Sequence, residues 1–302
     1  MPLFVHDNGA VHYLERGRGE PLLLIHGLGS SGADWALQVA ALERRFRVIA
    51  PDLPGCGHSA APRGGGSIAG FAASLWALLD HLEAPRVNIV GFSLGGAVGI
   101  EMALQRPEAV HRLGLINSLA SYRLDHWSKF LEAVLPMMLI PLVGMRRAAH
   151  FAARRLFPMP WQRPLRDRAA QVVSAVPVSS YLGTGRALIG WSAIDRLHHL
   201  KSKVLMIAAE RDLTPLAEKR ALAARLGAEF VLVRGSRHGT PFDAVKVTNA
   251  SLLALLTDQP LPPPEQWTCD EATHAGELPL TGTIAEEHAR HRLYSPASPV
   301  AG

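Results

Sequence analysis

Three side chains in this sequence have the types and surroundings that acyl transfer needs. Ser93 stands at the centre of Gly91-Phe92-Ser93-Leu94-Gly95, where the apolar run VNIV turns into a helix-like stretch. A sharp strand-to-helix turn strains its central residue and crowds the neighbouring backbone. Glycines two positions either side relieve that crowding because they carry no Cβ. The turn points the central side chain out of the sheet, beside the unpaired N–H groups of the following helix. The pattern reads as a nucleophile elbow, although the five residues alone would equally suit an ordinary loop whose serine caps the helix. A serine hydroxyl attacks only when a base takes its proton, and the base needs a third group to orient it. His238, just past the run EFVLVRG, fits the base, and Asp212, just past KVLMIAA, fits the orienting acid.

These residues can meet only if the strands before them run side by side, with their C-terminal ends along one edge. The pattern of elements provides that. A hairpin is expected over residues 3–17, with Asn8-Gly9 as its turn. Strands follow at 22–26, 46–52, before Ser93, in RLGLINS ending near Ser118, at 203–209 and at 229–235. Helices are expected at 34–44, 67–82, after Ser93, at 215–226 and at 242–256. Strand–helix alternation implies a mostly parallel sheet with helices on both faces. From 119 to 196 helical pieces follow one another without strands, broken by Pro136, Pro141, Pro158, Pro160, Pro164 and Pro177. The expected division is a core of 1–118 and 197–258, a helical cap of 119–196, and a Pro-rich acidic C-terminal tail of 259–302. The tail would hold at most a short helix near Ile284 to Arg292.

A second glycine-rich turn, His26-Gly27-Leu28-Gly29-Ser30-Ser31, follows the run LLLIH. It would present backbone N–H groups to a developing oxyanion, and Leu28 and Leu94 are the expected donors. His26 is expected to brace this turn, with Gly27, through hydrogen bonds.

Four motifs in this order resemble the α/β-hydrolase superfamily: His26-Gly27 before the glycine-rich turn, Asp52-Leu53-Pro54-Gly55-Cys56-Gly57-His58-Ser59, Gly91-Phe92-Ser93-Leu94-Gly95-Gly96, and the Asp212/His238 pair. The resemblance covers roughly residues 3–257 and implies an α/β-hydrolase fold whose insertion is the cap. The order serine, acid, histidine is the one expected for that fold. The tail departs from it, since such chains usually end soon after the helix following the histidine. Serine at position 93 argues against dehalogenases and epoxide hydrolases of the superfamily, which need a carboxylate there. The resemblance leaves carboxylesterase, lactonase, thioesterase, carbon–carbon bond hydrolase and perhydrolase. The favoured substrate is a small to medium apolar ester or lactone, because the insertion is apolar and rich in methionine. It holds Met137, Met138, Leu139, Ile140, Leu142 and Val143, with Leu131, Val134, Leu135, Trp127, Trp161 and Trp191 around them. Such residues could line a pocket for a flexible acyl group or simply pack the cap onto the sheet.

Several rivals compete with these readings. Gly27-Leu28-Gly29-Ser30-Ser31-Gly32, with Asp52 some twenty residues on, matches a dinucleotide-binding fingerprint. It leaves the elbow, Asp212 and His238 without a role. A non-catalytic binding module on the hydrolase fold would normally lack a triad member, and none is missing. Glu210 competes with Asp212 as the acid, and Asp125 follows the strand ending near Ser118, where some hydrolases place theirs. His198-His199 read as loop residues, and Cys56 as packing near the pocket mouth. His288 and His291 beside Glu287 are thin grounds for a metal, so neither metal nor cofactor is expected.

The 302 residues are 48% hydrophobic and 19% charged, with a formal charge of +5, which is ordinary for a globular protein. Two cysteines, Cys56 and Cys269, give no disulfide framework. Together with an N-terminus that lacks signal-peptide character, they lead to an expected cytoplasmic location. The greasiest stretch, Phe130 to Val143, is too short to span a bilayer, and no basic stripe of the nucleic-acid-binding kind occurs. The expected partner is a small-molecule substrate, with membrane-surface contact through the cap left open and the oligomeric state undetermined. Residues 119–196 carry eleven Lys/Arg against four Asp/Glu, and 259–302 carry two against six. The tail is therefore expected to dock on the cap, with Trp267, Leu278, Leu280 and Tyr294 as apolar anchors.

Overall fold

The inner strands are apolar along most of their length because helices cover both faces of their sheet. In the computed structural model, which describes residues 2–6, 9–62, 66–125 and 135–270, eight strands form one sheet. They are β1 Leu3–His6, β2 Gly9–Arg16, β3 Glu20–Ile25, β4 Phe46–Pro51, β5 Val87–Phe92, β6 Val110–Ile116, β7 Lys203–Ala209 and β8 Glu229–Val233, in the order β1-β2-β4-β3-β5-β6-β7-β8. The pairings β1–β2 and β2–β4 are antiparallel and the others parallel. Asn8 of the expected hairpin turn lies outside the described residues.

Register decides where the chemistry sits. Ile25 pairs with Gly91, Phe92 with Ile116, Ile116 with Ile207, and Ala209 with Val233. The strands therefore end in one row, and the segments beginning at His26, Ser93, Asn117, Glu210 and Arg234 leave the sheet along a single edge.

The helices are α1 Ala36–Leu42, α2 Ile68–His81, α3 Leu94–Gln105, α4 Leu135–Val143, α5 Met145–Leu156, α6 Arg163–Ser174, α7 Val178–Leu188, α8 Leu216–Leu226, α9 Thr240–Asp243 and α10 Val245–Thr257. Ser67 caps α2 by accepting from the Gly70 N–H at 3.0 Å. One apolar core joins α2, α3 and α8 to one sheet face, and a second joins α1 and α10 to the other.

Helices α4–α7 form the insertion between β6 and β7. Its two ends are clipped together by a bridge between Ser121 and Ser192 and by the Tyr122 N–H bonded to the Trp191 carbonyl. Arg196 and the Trp191 indole N–H both donate to Glu101 on α3, which ties this base to the core.

Two sequence expectations need correction. The single helix over 242–256 is broken at Ala244, whose ψ of 47° leaves the helical region. Asp270 stabilises the break: its N–H donates to the Asp243 carbonyl, and its carboxylate accepts from the orphan N–H of Val245 that opens α10. The ordered chain also does not stop at 258. Residues 259–270 return to the core, where Arg234 and Thr268 form a parallel bridge and Leu261 and Trp267 pack against the α10 side. Trp267 thus anchors to the core rather than the cap. The other anchors named for docking, and the region 284–292, lie outside the described residues.

Candidate active site

Ser93 has φ 54° and ψ −117°, a strained conformation for a residue with a Cβ. The surroundings fix it there. The Ser93 N–H donates to the Ile116 carbonyl at 2.9 Å, and its own carbonyl accepts from the Gly96 N–H and the Ser118 hydroxyl. A Cβ on Gly91 would come within 2.3 Å of the Gly95 carbonyl oxygen, and one on Gly95 within 2.1 Å of the Ile25 oxygen. The elbow glycines are therefore a steric requirement of β5 meeting α3 this tightly.

His238 lies in the segment after β8. Its Nε2 is 2.9 Å from Ser93 Oγ, and its Nδ1 is 2.6 Å from Asp212 Oδ1. The Asp212 carboxyl is almost fully buried and also accepts from the Leu213 N–H at 2.6 Å and the Thr214 hydroxyl at 2.7 Å. Three residues separated by more than 140 positions thus form one hydrogen-bonded chain. In such an array the imidazole can take the serine proton while the carboxylate holds the ring in the required tautomer.

The turn after β3 lies on the same edge. His26 is buried and linked at both nitrogens: Nε2 accepts from the Leu53 N–H at 2.9 Å, which leaves Nδ1–H to donate to the Gly27 carbonyl at 2.8 Å. Burial lowers its pKa, in keeping with a neutral ring. Gly29 takes φ 74°. Among the described residues, neither the Leu28 nor the Leu94 amide donates to a protein acceptor. Both remain available to an oxyanion.

Two residues that the sequence reading missed hold the site together. Asn117, at φ 47°, ends β6. Its Nδ2 donates to the His238 carbonyl at 2.9 Å and to Thr240 Oγ1 at 2.7 Å, while its Oδ1 accepts from the Ala209 N–H at 2.8 Å. It joins the segment carrying His238 to the strand before Asp212. Lys219, on α8, has no exposed side-chain surface and pairs with Asp212 Oδ2, with Asn117 Oδ1 3.5 Å away. Burial lowers the ammonium's pKa to about 7. Burial, and then the Lys219 charge, hold His238 below the ordinary histidine value. The signal for Lys219 was helical spacing: it shares the stripe of Leu222, Ala223 and Leu226, so a charge was written into an apolar face. Nothing in the run RLGLINS distinguished Asn117.

The insertion roofs this edge. A Cβ on Gly29 would lie 2.9 Å from the Tyr181 ring, and one on Gly239 would lie 2.5 Å from Phe157. Met137 and Leu28 both approach Gly185. The Phe92 ring packs 5.2 Å from the His238 ring. Of the apolar insertion residues, Met137 is partly buried here and Ile140 is buried, but Met138, Leu139, Leu142 and Val143 face solvent and Trp191 sits at the base. The apolar side chains that stand over Gly29 and Gly239 are instead Tyr181 and Phe157. Leu131, Val134 and Trp127 lie outside the described residues, as do His288 and His291.

The rival residues are committed elsewhere. Glu210 accepts from the Gly235 N–H at 2.9 Å. Asp125 is exposed, and His198 and His199 lie at the surface with their rings tilted against each other. Asp52 accepts from His12 Nδ1 and the Gly32 and His58 N–H groups, each within 2.9 Å, so its carboxylate braces two loops and has no room for a ribose hydroxyl. Cys56 is buried against Thr184 of α7, and burial pushes its thiol up to about 11. Among the described residues no cluster of His, Cys, Asp and Glu could hold a metal, and no helix is long and apolar enough to cross a membrane.

Comparison with known proteins bears on the fold. An uncharacterised Mycobacterium tuberculosis protein is 46% identical over 102 residues, a match that takes in 34% of this chain and 30% of that protein. RutD of Pseudomonas syringae pv. syringae, whose name refers to carbamate hydrolysis, is 31% identical over 257 residues, covering 82% of this chain and 98% of its own. The crystal structure of the enol-lactonase from Burkholderia xenovorans LB400 superposes with a TM-score of 0.77 at 25% identity, over 85% of this chain and all of that one. Residues 20–245 match the model of the alpha/beta hydrolase fold, and the chain belongs to that family.

Proposed function

We propose that this α/β hydrolase cleaves a small to medium apolar carboxylic ester or lactone, with Ser93 as nucleophile, His238 as general base and acid, and Asp212 as the group that orients it. The observation that carries the reading is the continuous chain from Ser93 Oγ through His238 to Asp212 at the carboxyl edge of the sheet. In the first step Ser93 Oγ attacks the substrate carbonyl carbon as its proton passes to His238 Nε2. The carbonyl oxygen takes up the negative charge and meets the Leu28 and Leu94 amides. Collapse expels the alkoxide, protonated by His238, and leaves an acyl-serine. Water activated by the same imidazole then releases the acid. The aromatic and aliphatic roof over Gly29 and Gly239 favours an apolar acyl group, and the likeness to an enol-lactonase supports a lactone as well as an open ester.

The test is turnover of p-nitrophenyl acyl esters and lactones of graded chain length, with a fluorophosphonate as active-site label. The wild type should hydrolyse at least one series and acquire a single adduct on Ser93, and Ser93→Ala should do neither. Hydrolysis by Ser93→Ala near the wild-type rate would remove the assignment. Cleavage confined to vinylogous diketones would move the reading to carbon–carbon hydrolysis on the same residues.

A further inference from the structure

The outer face of the insertion is unlike the rest of the surface. Helix α4, LPMMLIPLV, holds no charged residue, and among its described side chains only Ile140 is buried. Leu142 is 80% exposed and Met138 61% exposed, with Leu139 and Val143 also open to solvent. Isolated exposed leucines are normal, but four large apolar side chains on one nine-residue helix are not. Helix α5 follows after Gly144 and packs against α4. It buries Met145, Ala149 and Ala153, and turns Arg146, Arg147, Arg154 and Arg155 outward together with Phe151, which is 62% exposed. No Asp or Glu occurs anywhere from 135 to 156.

We infer that α4 and α5 form a docking surface for an anionic lipid bilayer, with α4 entering the interface and the α5 arginines meeting the headgroups. The charge pattern favours this occupant over a second copy of the chain. A second copy of the chain would set four arginines against the same four, or against a helix with no acid to receive them. A bilayer offers an apolar layer beneath a negative one, in the order this surface needs, and amphipathic segments with arginine on the polar face bind that way. A groove of about 420 Å³ opens between α5 and α6, lined by Arg146, His150, Asp167, Gln171 and Ser174. Arg146 there offers a guanidinium to a headgroup phosphate beside the inserted helix, with the Asp167 carboxylate opposing it. The inner side of α4 carries Met137, which approaches Gly185 near Leu28 of the oxyanion turn, so a membrane at the outer face would lie one helix away from the roof of the site.

The experiment is co-sedimentation of the full chain with equimolar phosphatidylglycerol/phosphatidylcholine vesicles and with pure phosphatidylcholine vesicles, at low and high salt. The wild type should partition at least tenfold more to the anionic vesicles, and salt should weaken the difference. Arg147→Glu/Arg154→Glu should lower anionic partition by roughly fivefold or more per site. Met138→Asp/Leu142→Asp should abolish partition to either vesicle while leaving melting temperature and turnover of a soluble ester unchanged, since both side chains already face water. Equal partition to both vesicles, or none to either, overturns the inference. So does full binding by Met138→Asp/Leu142→Asp, which would mark a purely electrostatic contact. A concentration-dependent dimer abolished by Leu142→Asp, without vesicle binding, would assign the face to a second copy instead. Vesicle binding needs no hydrolysis, so this result and the assignment of Ser93 stand or fall separately.

Discussion

At the scale of single residues, His238 joins Ser93 to Asp212, and Asp212 is held in turn by Leu213, Thr214 and Lys219. Ser93→Ala and His238→Ala should each cost several powers of ten in kcat, and the double variant little more, because nucleophile and base act as one unit. Asp212→Asn should cost about 10⁴-fold, while Glu210→Gln should leave kcat almost untouched because its carboxylate braces Gly235 and pairs with Arg211. Lys219 makes a sharper prediction. The imidazole must be neutral to act as base, and burial and the Lys219 charge hold its pKa below the usual histidine value. Activity should therefore persist below about pH 6 and fall only at lower pH. Removing the cation in Lys219→Met makes the imidazolium easier to form, so the acid limb should move up by about one to two pH units. Lys219→Arg should restore it towards wild type. Were Lys219 only a packing element, Lys219→Met would lower stability and leave the limb in place.

At the scale of elements, the polar contact between the insertion and the segment carrying His238 passes through a buried acid, beside the packing of Phe157 on Gly239 and Phe242. Asp243, buried at the end of α9, accepts from Ser236 Oγ at 2.7 Å and from Gln162 Nε2 at 3.1 Å. Gln162 belongs to the insertion, and Ser236 stands two residues before His238. Burial raises the Asp243 pKa to about 7. A carboxyl whose folded pKa lies above its unfolded value binds its proton more tightly when folded. Its contribution to stability is complete below about pH 4 and is lost as pH rises through about 7. Asp243→Asn keeps an acceptor for Gln162 and cannot ionise. Its melting temperature relative to wild type should improve from pH 5 to pH 8, by the equivalent of about 1 kcal/mol or more. A constant difference across that range would show that Asp243 does not titrate there.

At the scale of the whole molecule, the ordered chain closes on itself beyond its last long helix. Trp267, Leu261 and the Asp270 bonds at the start of α10 join residues 259–270 to the core. A chain ending at Thr257 should lose roughly 2 to 4 kcal/mol, from apolar area returned to water and an uncapped α10. The loss should depend only weakly on salt, through the exposed pairs of Asp258 with Arg112 and Lys203. A chain ending at Asp270 should retain that part of the stability. Identical denaturant midpoints for the Thr257-ended and full chains would refute the role given to Trp267.

The sequence by itself determined what local chemistry dictates. Glycine spacing around Ser93 announced the elbow because no Cβ fits there, apolar runs of strand length marked the sheet, and the position of Asp212 and His238 just past two such runs placed them on the same edge. The tertiary structure decided what depends on neighbours distant in sequence. Periodicity ranked residues after 258 as tail because prolines broke the pattern, yet a single tryptophan and one aspartate suffice to bind that segment to β8 and α10. An apolar composition could not say which side of α4 faces inward, so Met138 and Leu142 read as pocket lining or cap packing when they are surface. Lys219 and Asn117 were invisible as partners of Asp212 and the His238 segment because their roles exist only once β6, α8 and the loop after β8 meet. A buried ammonium is tolerable only against a carboxylate, and only the folded chain brings Asp212 to Lys219.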